Sequence, residues 1–447
     1  MQSGHLWRLG LALEMKGLAL KMKSLEDKAL GAYERALESA PKDSSGLSFM
    51  SLCYYKVGAL CQGRYDRLGE TEDLNKAIWA HEMYIAFTAA DGEHLDMCYG
   101  DLYCSLMVRW DVLKNEEDLD RIVSHAEKAV SLNPSYHNQF NLGFALRVSY
   151  DHHHTLALID RAILAMRSAV DNLTNDHMHM LTELAFTYYR RIHHVRDPSD
   201  ASACIKYLEQ AREYGKINFS FHIMLIECLG VVFFRNGDVQ CYERASLICE
   251  TLLADDSLTN TDRCIVLTAL GAIFISPDPC QLEKCIQTLK RAIECMSPQH
   301  PEPVRPYYFL SYALRVRLEI RTATVSEFEY AISIGRKAVE FAEIHVASER
   351  NTSNSDFHGS CLLTLGHMLI SYGLTFPQPR AHYEQCILLF RKASQVSSLV
   401  HDTHLTSAIA EAEYCAAMKD WKGCFNAYTS AMEAVQHQTW LGLSVVQ

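Results

Sequence analysis

Apolar residues along this chain fall three and four apart in segment after segment, the spacing of one face of an α-helix. Within those segments a pair of small residues seven apart keeps returning. Ala29 and Ala36, Ala162 and Ala169, Cys204 and Ala211, and Cys285 and Ala292 are such pairs, as are Ala331 and Ala338, Cys386 and Ala393, and Cys424 and Ala431. Ile122 with Ala129 keeps one larger member, while Ala77 with Tyr84 and Ala245 with Leu252 keep only the first small one. Seven residues are two helical turns, so both members share a stripe on which a neighbouring helix can approach closely. The first members are spaced by 38 to 55 residues with a mean of about 44, a period expected of stacked helical hairpins.

Ahead of each such helix lies another helical segment. Six of these carry an apolar residue and Gly in mid-pattern: Leu9-Gly10, Val57-Gly58, Leu142-Gly143, Leu229-Gly230, Leu270-Gly271 and Leu365-Gly366. A Gly inside a helix costs about 1 kcal/mol relative to Ala, so its return calls for a packing reason, and the small stripe of the following helix is the expected partner. Breakers separate the units at Pro41, Asn133-Pro134, Asp197-Pro198, Pro277 to Pro279, Pro298 to Pro306 and Pro377 to Pro379. One hairpin cannot cover its own apolar face, whereas a stack shares a continuous core. The prediction is an all-α solenoid of about ten hairpins occupying residues 1–436, followed by a tail at 437–447.

The segment Gly58–Ile78, GALCQGRYDRLGETEDLNKAI, combines an Arg-aromatic pair (Arg64-Tyr65), a short turn (Leu68-Gly69), an acidic-Leu entry (Glu72-Asp73-Leu74) and a Lys76-Ala77-Ile78 helix. Arg109-Trp110 followed by Glu117-Asp118-Leu119 repeats it, and Ser149-Tyr150 keeps the aromatic alone. It resembles the repeat unit of tetratricopeptide arrays, in particular the large fungal arrays that precede a caspase-like CHAT peptidase domain. Thr439-Trp440-Leu441-Gly442-Leu443-Ser444 resembles the segment joining such arrays to the peptidase. Middle repeats depart from the motif: Phe233 to Gly237 shortens the turn, and a Pro-rich stretch replaces it at Ile275 to Cys280. The resemblance implies a right-handed superhelix whose first helices line the concave side, and it implies the array without the enzyme.

Composition supports helix: 21 Gly and 11 Pro are few for 447 residues. A formal charge of -12 disfavours phosphate backbones as ligands, so no nucleic acid is expected. No run is read as a membrane span, and Met1 to Lys23, broken by Arg8, Glu14, Lys16, Lys21 and Lys23, lacks the order of a signal peptide. An intracellular, cytoplasmic protein is expected. None of the 16 cysteines is spaced from another by two residues, and Cys204, Cys285, Cys386 and Cys424 stand where a helix would carry Ala, so they read as reduced core residues.

Chemistry has few footholds. His152-His153-His154 and His193-His194 lie at junctions between helices, and His401 with His404 could share one helical face; none has the ligand set of a metal site, and no metal or cofactor is expected. Phe357-His358-Gly359-Ser360-Cys361 looks superficially like a Cys-His peptidase element but opens a first helix. There is no Gly-rich phosphate cradle and no nucleophile elbow. Acidic runs such as Glu116-Glu117-Asp118 and Asp255-Asp256 suit helix starts and loops.

Aromatics gather in the first helices. Tyr54, Tyr55, Tyr99, Tyr103, Tyr188, Tyr189, Phe233, Tyr307 and Tyr308 are the candidate groove residues, on the expectation that in each adjacent pair one ring is core and the other faces solvent. The expected function is non-enzymatic binding of a protein or peptide on the concave face. The rival is the regulatory arm of a CHAT-type peptidase. No polar capping helix is evident, which predicts self-association through the array ends.

Overall fold

The computed structural model describes residues 2–20, 22–41, 44–88, 95–172, 178–195, 197–215, 218–275, 278–297, 299–347, 353–376, 380–396 and 401–440. Twenty α-helices and no strand occur among them. They pair as α1 (Gln2–Leu20) with α2 (Lys23–Glu38), α3 (Ser44–Leu68) with α4 (Thr71–Phe87), α5 (Leu95–Leu113) with α6 (Glu116–Leu132), and α7 (Tyr136–His153) with α8 (Leu156–Asp171). Next come α9 (Met178–Val195) with α10 (Pro198–Tyr214), α11 (Phe219–Asn236) with α12 (Val239–Leu253), and α13 (Asn260–Ile273) with α14 (Pro279–Cys295). The last pairs are α15 (Val304–Ile320) with α16 (Val325–Ala347), α17 (Ser353–Thr375) with α18 (Arg380–Gln395), and α19 (His401–Ala417) with α20 (Trp421–Trp440). The chain is therefore an all-α array of ten tetratricopeptide-like hairpins. It forms two compact units, Met1–Thr187 and Tyr188–Gln447. Of the tail from 437, helix α20 takes in residues up to Trp440; Leu441 onward lies outside the described residues.

Every small-residue pair falls on the second helix of a hairpin. Ala29, Ala36, Ala77, Ala162, Ala169, Ala211, Ala292, Ala331 and Ala338 are fully buried, and Ala129, Ala393 and Ala431 nearly so. The glycines of the first helices need their missing Cβ, but what they meet differs from expectation. A Cβ on Gly10 would lie 2.8 Å from the Tyr33 ring, on Gly58 2.6 Å from the His81 ring, and on Gly143 2.4 Å from Met166 Cγ. On Gly271 it would lie 2.5 Å from Leu289 Cγ, and on Gly366 2.6 Å from the Phe390 ring. Tyr33, His81, Met166, Leu289 and Phe390 all stand four residues after the first small residue, so each glycine receives the bulky side chain one turn beyond it. At Gly230 the corresponding residue is Cys249, and the nearest atom is instead Ile273 Cγ1 of α13 at 3.3 Å.

Turn chemistry explains the hairpin geometry. Gly69, Lys114, His154, Gly237 and Lys419, each between a first and a second helix, have φ of 51° to 71°, the left-handed conformation that ends a helix. Second helices start on side-chain caps from Asn115, Asp197, Asp238 and Asp278, and Pro198 and Pro279 occupy first-turn positions. Of the predicted breakers, Pro277, Pro298 and Pro377 to Pro379 lie outside the described residues.

Two ion-pair motifs repeat. Arg109 forks onto Asp118, with Nε to Oδ2 at 2.8 Å and Nη2 to Oδ1 at 2.6 Å. Arg64 with Asp73 and Arg191 with Asp200 occupy the same places as ion pairs, each with Nε 3.3 Å from Oδ2. These pairs clasp the end of a first helix to the start of the second, and Asp118 is wholly buried. Between neighbouring second helices, Glu34 pairs with Lys76, Glu82 with Arg121, Glu127 with Arg161, and Glu209 with Arg244. Each of these exposed pairs is worth ~0–1 kcal/mol, so the ladder sets register more than stability.

Helix α11 corrects one expectation. Its 18 residues are long and apolar enough to cross a membrane, with a mean hydropathy of 1.4. Eight of its residues are nonetheless buried, and its only carboxylate, Glu227, pairs with Arg305. Such burial and pairing fit a core helix of the array. Eleven cysteines are buried thiols, Cys204, Cys285 and Cys386 among them, while Cys424 is half-buried.

Candidate binding face

Second helices pack on the next first helix, and consecutive first helices also touch. In the second unit α11 touches α13, α13 touches α15, α15 touches α17, and α17 touches α19; in the first unit α3 touches α5. The first helices therefore form the closely spaced side of each stack.

The first unit presents three parallel stripes on that side, all at i, i+4, i+7, i+11. Helix α5 contributes Met97, Asp101, Cys104 and Val108; α3 contributes Leu52, Lys56, Ala59 and Gly63; α7 contributes His137, Asn141, Phe144 and Val148. All twelve are exposed or half-buried, with Leu52 and Met97 each 51% exposed. Lys56 is committed to Glu14, which it meets at 2.8 Å and which also accepts the Tyr33 hydroxyl at 2.7 Å. Asp101 has no cation against it among the described residues, and burial raises its carboxyl above the ordinary value. Burial, reinforced by Asp101, pushes the neighbouring Cys104 thiol up to about 11. At the edge of this face Arg147 lies 4.6 Å from the Phe144 ring and 5.1 Å from the Phe186 ring, and it binds Asp151 at 2.9 Å and Glu183 at 3.5 Å.

The second unit holds a charged cluster drawn from three first helices. One Glu227 oxygen accepts from Arg305 and the other from the Tyr189 hydroxyl. Burial would raise the Glu227 carboxyl, but Arg305, His193 and the Tyr189 hydroxyl outweigh it and hold it below the ordinary value. Arg305 also reaches Glu302 at 3.5 Å and lies 5.9 Å from the Phe357 ring, which packs 5.2 Å from Tyr308. Glu227 and Arg305 are enclosed yet keep 16% and 22% of their side-chain surface in contact with solvent.

Of the nine aromatic candidates, Tyr54, Tyr103, Tyr188 and Tyr307 are buried: Tyr54 stacks on Phe87 at 5.6 Å and Tyr188 on Tyr207 at 5.9 Å. Tyr55, Tyr99, Tyr189, Phe233 and Tyr308 are half-buried. Tyr99 leans on His125 at 5.7 Å, and Phe233 on Tyr242 at 5.2 Å. Sequence reasoning missed Asp101, Glu227 and Arg305. The i, i+4, i+7, i+11 stripes could have revealed the first; nothing in the repeat register marks a pair 78 residues apart.

The histidine strings end helices. His152 and His153 close α7, His154 is its left-handed cap, and His152 meets Glu116 at 3.3 Å and the Trp110 ring at 5.4 Å. The side chains of His194, His401 and His404 lie outside the described residues. No group of three His, Cys, Asp or Glu side chains converges as a metal site among the described residues. His358 and Cys361 both lie within α17, and Cys361 is fully buried. In the second unit, a shallow depression of about 550 Å³ bounded by Phe274, Cys280 and Glu283 opens to solvent.

The chain matches no family profile and no curated protein. Among solved structures it is similar to the apo form of the quorum sensor NprR from B. thuringiensis, at 11% identity over 83% of this chain and 99% of that one, with a TM-score of 0.45. Yeast Tom70 is similar at 13% identity over 92% and 96%, TM-score 0.38, and a human IFIT1 dimer with m7Gppp-AAAA at 14% over 90% and 83%, TM-score 0.44. None of these scores is high enough to bear on fold or ligand, so both rest on the helices described above.

Proposed function

We propose that this protein is a non-enzymatic scaffold that binds an extended peptide segment across α3, α5 and α7. The observation that carries this is the set of three parallel stripes, open to solvent and centred on the uncompensated carboxylate of Asp101. Met97, Leu52 and Val108 supply apolar contact, Tyr55 and Asn141 offer hydrogen bonds, and Asp101 selects a Lys or Arg of the ligand. A charge-assisted bond in such a setting is worth roughly 1.5–3 kcal/mol, about a tenfold effect or more on affinity. Buried apolar placement of eleven thiols supports a reducing, cytoplasmic setting. The motif of Gly58–Ile78 supports descent from the fungal tetratricopeptide arrays associated with CHAT peptidases, and genomic sequence encoding a neighbouring peptidase would test that point separately.

Display of random peptides against the full chain tests the reading. Enriched peptides should carry a basic residue, and Asp101→Asn should weaken them about tenfold at unchanged melting temperature. Peptides indifferent to both Asp101→Asn and Met97→Asp would place recognition elsewhere.

A further inference from the structure

The outer face of the last hairpin carries four large apolar side chains in one stripe. On α20, Trp421 is 68% exposed, Phe425 73%, Tyr428 47% and Met432 63%. Taken at roughly 150–250 Å² for each large side chain, they leave on the order of 500 Å² of apolar surface in water. That is unusual for one helix of a soluble array.

The repeat register says what covers this stripe elsewhere. Counting from the first small residue, Trp421 and Phe425 match Leu74 and Ile78 of α4, which are 0% and 3% exposed because they share a core with Leu102 and Leu106 of α5, the next first helix. Tyr428 matches Gly335 of α16, against which Leu365 and Met368 of α17 are seated. The slot over α20 is therefore shaped for the outer face of a first helix.

Helix α1 has such a face, uncovered. Counted from its glycine, Leu9 matches Leu365 and Ala12 matches Met368; those two are 3% and 0% exposed, whereas Leu9 is 45% exposed, and Leu20, three turns on along the same face, is 55% exposed. Sizes also complement. At the α16–α17 seam a glycine faces Met368, and at an α20–α1 seam between copies a tyrosine would face Ala12.

We infer that this protein associates head to tail, α20 of one copy taking α1 of a second copy as the seam between hairpins takes the next first helix. Each contact uses two different surfaces, so it is heterologous. Its roughly 700 Å² of apolar surface is below the standard size of specific interfaces, so association is weak and concentration-dependent.

Mass measurement by light scattering up to about 0.2 mM, where so small an interface becomes populated, tests this with two variants of the full chain: Leu9→Asp on α1 and Phe425→Asp on α20. Wild type should exceed the 50.7 kDa monomer as concentration rises. Each variant alone should stay monomeric, and an equimolar mixture should recover a species of twice the monomer mass, because one supplies an intact α20 and the other an intact α1. Leu9→Asp dimerising by itself would show α20 pairing with α20 and overturn the inference. A monomeric wild type, or a mixture that fails to associate, would overturn it too. Leu20→Lys and Trp421→Lys, at exposed positions of the same two faces, repeat the test should either aspartate variant fold poorly.

Discussion

Replacing Gly143 with Ala should destabilise the α7–α8 hairpin although Ala is the better helix former. The added methyl would lie 2.4 Å from Met166 Cγ, 3.1 Å from the Ala162 carbonyl oxygen and 3.1 Å from the Met166 nitrogen. Met166 is fully buried and also receives the Thr187 hydroxyl on its sulfur at 3.1 Å, so it has little room to rotate, and two of the three contacts are to backbone. Overpacking of this kind costs ~1–3 kcal/mol, against about 1 kcal/mol gained from helix propensity, leaving a net loss of up to about 2 kcal/mol. The diagnostic is coupling between the two positions. With Met166→Ala already in place the 2.4 Å contact is gone and only the two 3.1 Å backbone contacts remain, so Gly143→Ala should cost about 1 kcal/mol less than it does in wild type. Gly31→Ala, where a Cβ meets nothing within 4 Å, is the control and should stabilise in the wild-type background. Amide exchange of α7 and α8 reads these changes locally, which suits an array that need not unfold in one step. A Gly143→Ala protein that is more protected than wild type, or an equal penalty in the Met166→Ala background, would refute the packing account.

Arg109→Leu should cost up to about 3–5 kcal/mol, since it leaves the wholly buried Asp118 only Arg121, at 3.7 Å, and Arg109→Leu/Asp118→Asn should recover much of that by denaturant titration. Ala169→Leu, at a fully buried seam position, should cost about 1–3 kcal/mol and lower the melting temperature. Burial holds the His81 imidazole at about 4, below its ordinary 6.5; the neutral form is the folded one, so this contribution is complete above pH 6.5 and is lost as pH falls toward 4. The loss amounts to about 2–3 kcal/mol, and His81→Leu should flatten the pH profile of the melting temperature over that interval. Alkylation followed by mass spectrometry should label exposed Cys280 before Cys104, whose thiol is held at about 11, and should leave Cys53 and Cys285, both pushed up to about 12 by burial, unmodified in the native protein.

The hairpin register was readable because close helix packing constrains residue size at fixed spacing, and size is written in the one-dimensional pattern. Which neighbour meets which was not. Gly58 and Ala77 were each recognised as packing positions, yet the residue seated on Gly58 is His81, a choice fixed by how two helices rotate against one another. The Arg64-Tyr65 and Glu72-Asp73-Leu74 strings were visible as motif, while the Arg64–Asp73 clasp needed the left-handed turn at Gly69 to bring them together. The groove candidates show the same limit. Adjacent tyrosines cannot both face one way, so choosing by residue type swept up buried Tyr54, Tyr188 and Tyr307 and passed over Asp101. Periodicity reports that a helix has two sides, and the partner helix decides which of them is wet.

The link from Glu227 on α11 to Arg305 on α15 passes over an entire intervening hairpin partner, α13. In a stack held only by nearest neighbours, a hairpin can peel away and leave the rest intact. Here the middle of the second unit is tied across a gap of one. Under tension, or in mild denaturant, separation of the members should pause at this tie, so that α11, α13 and α15 let go as one block where their neighbours release singly.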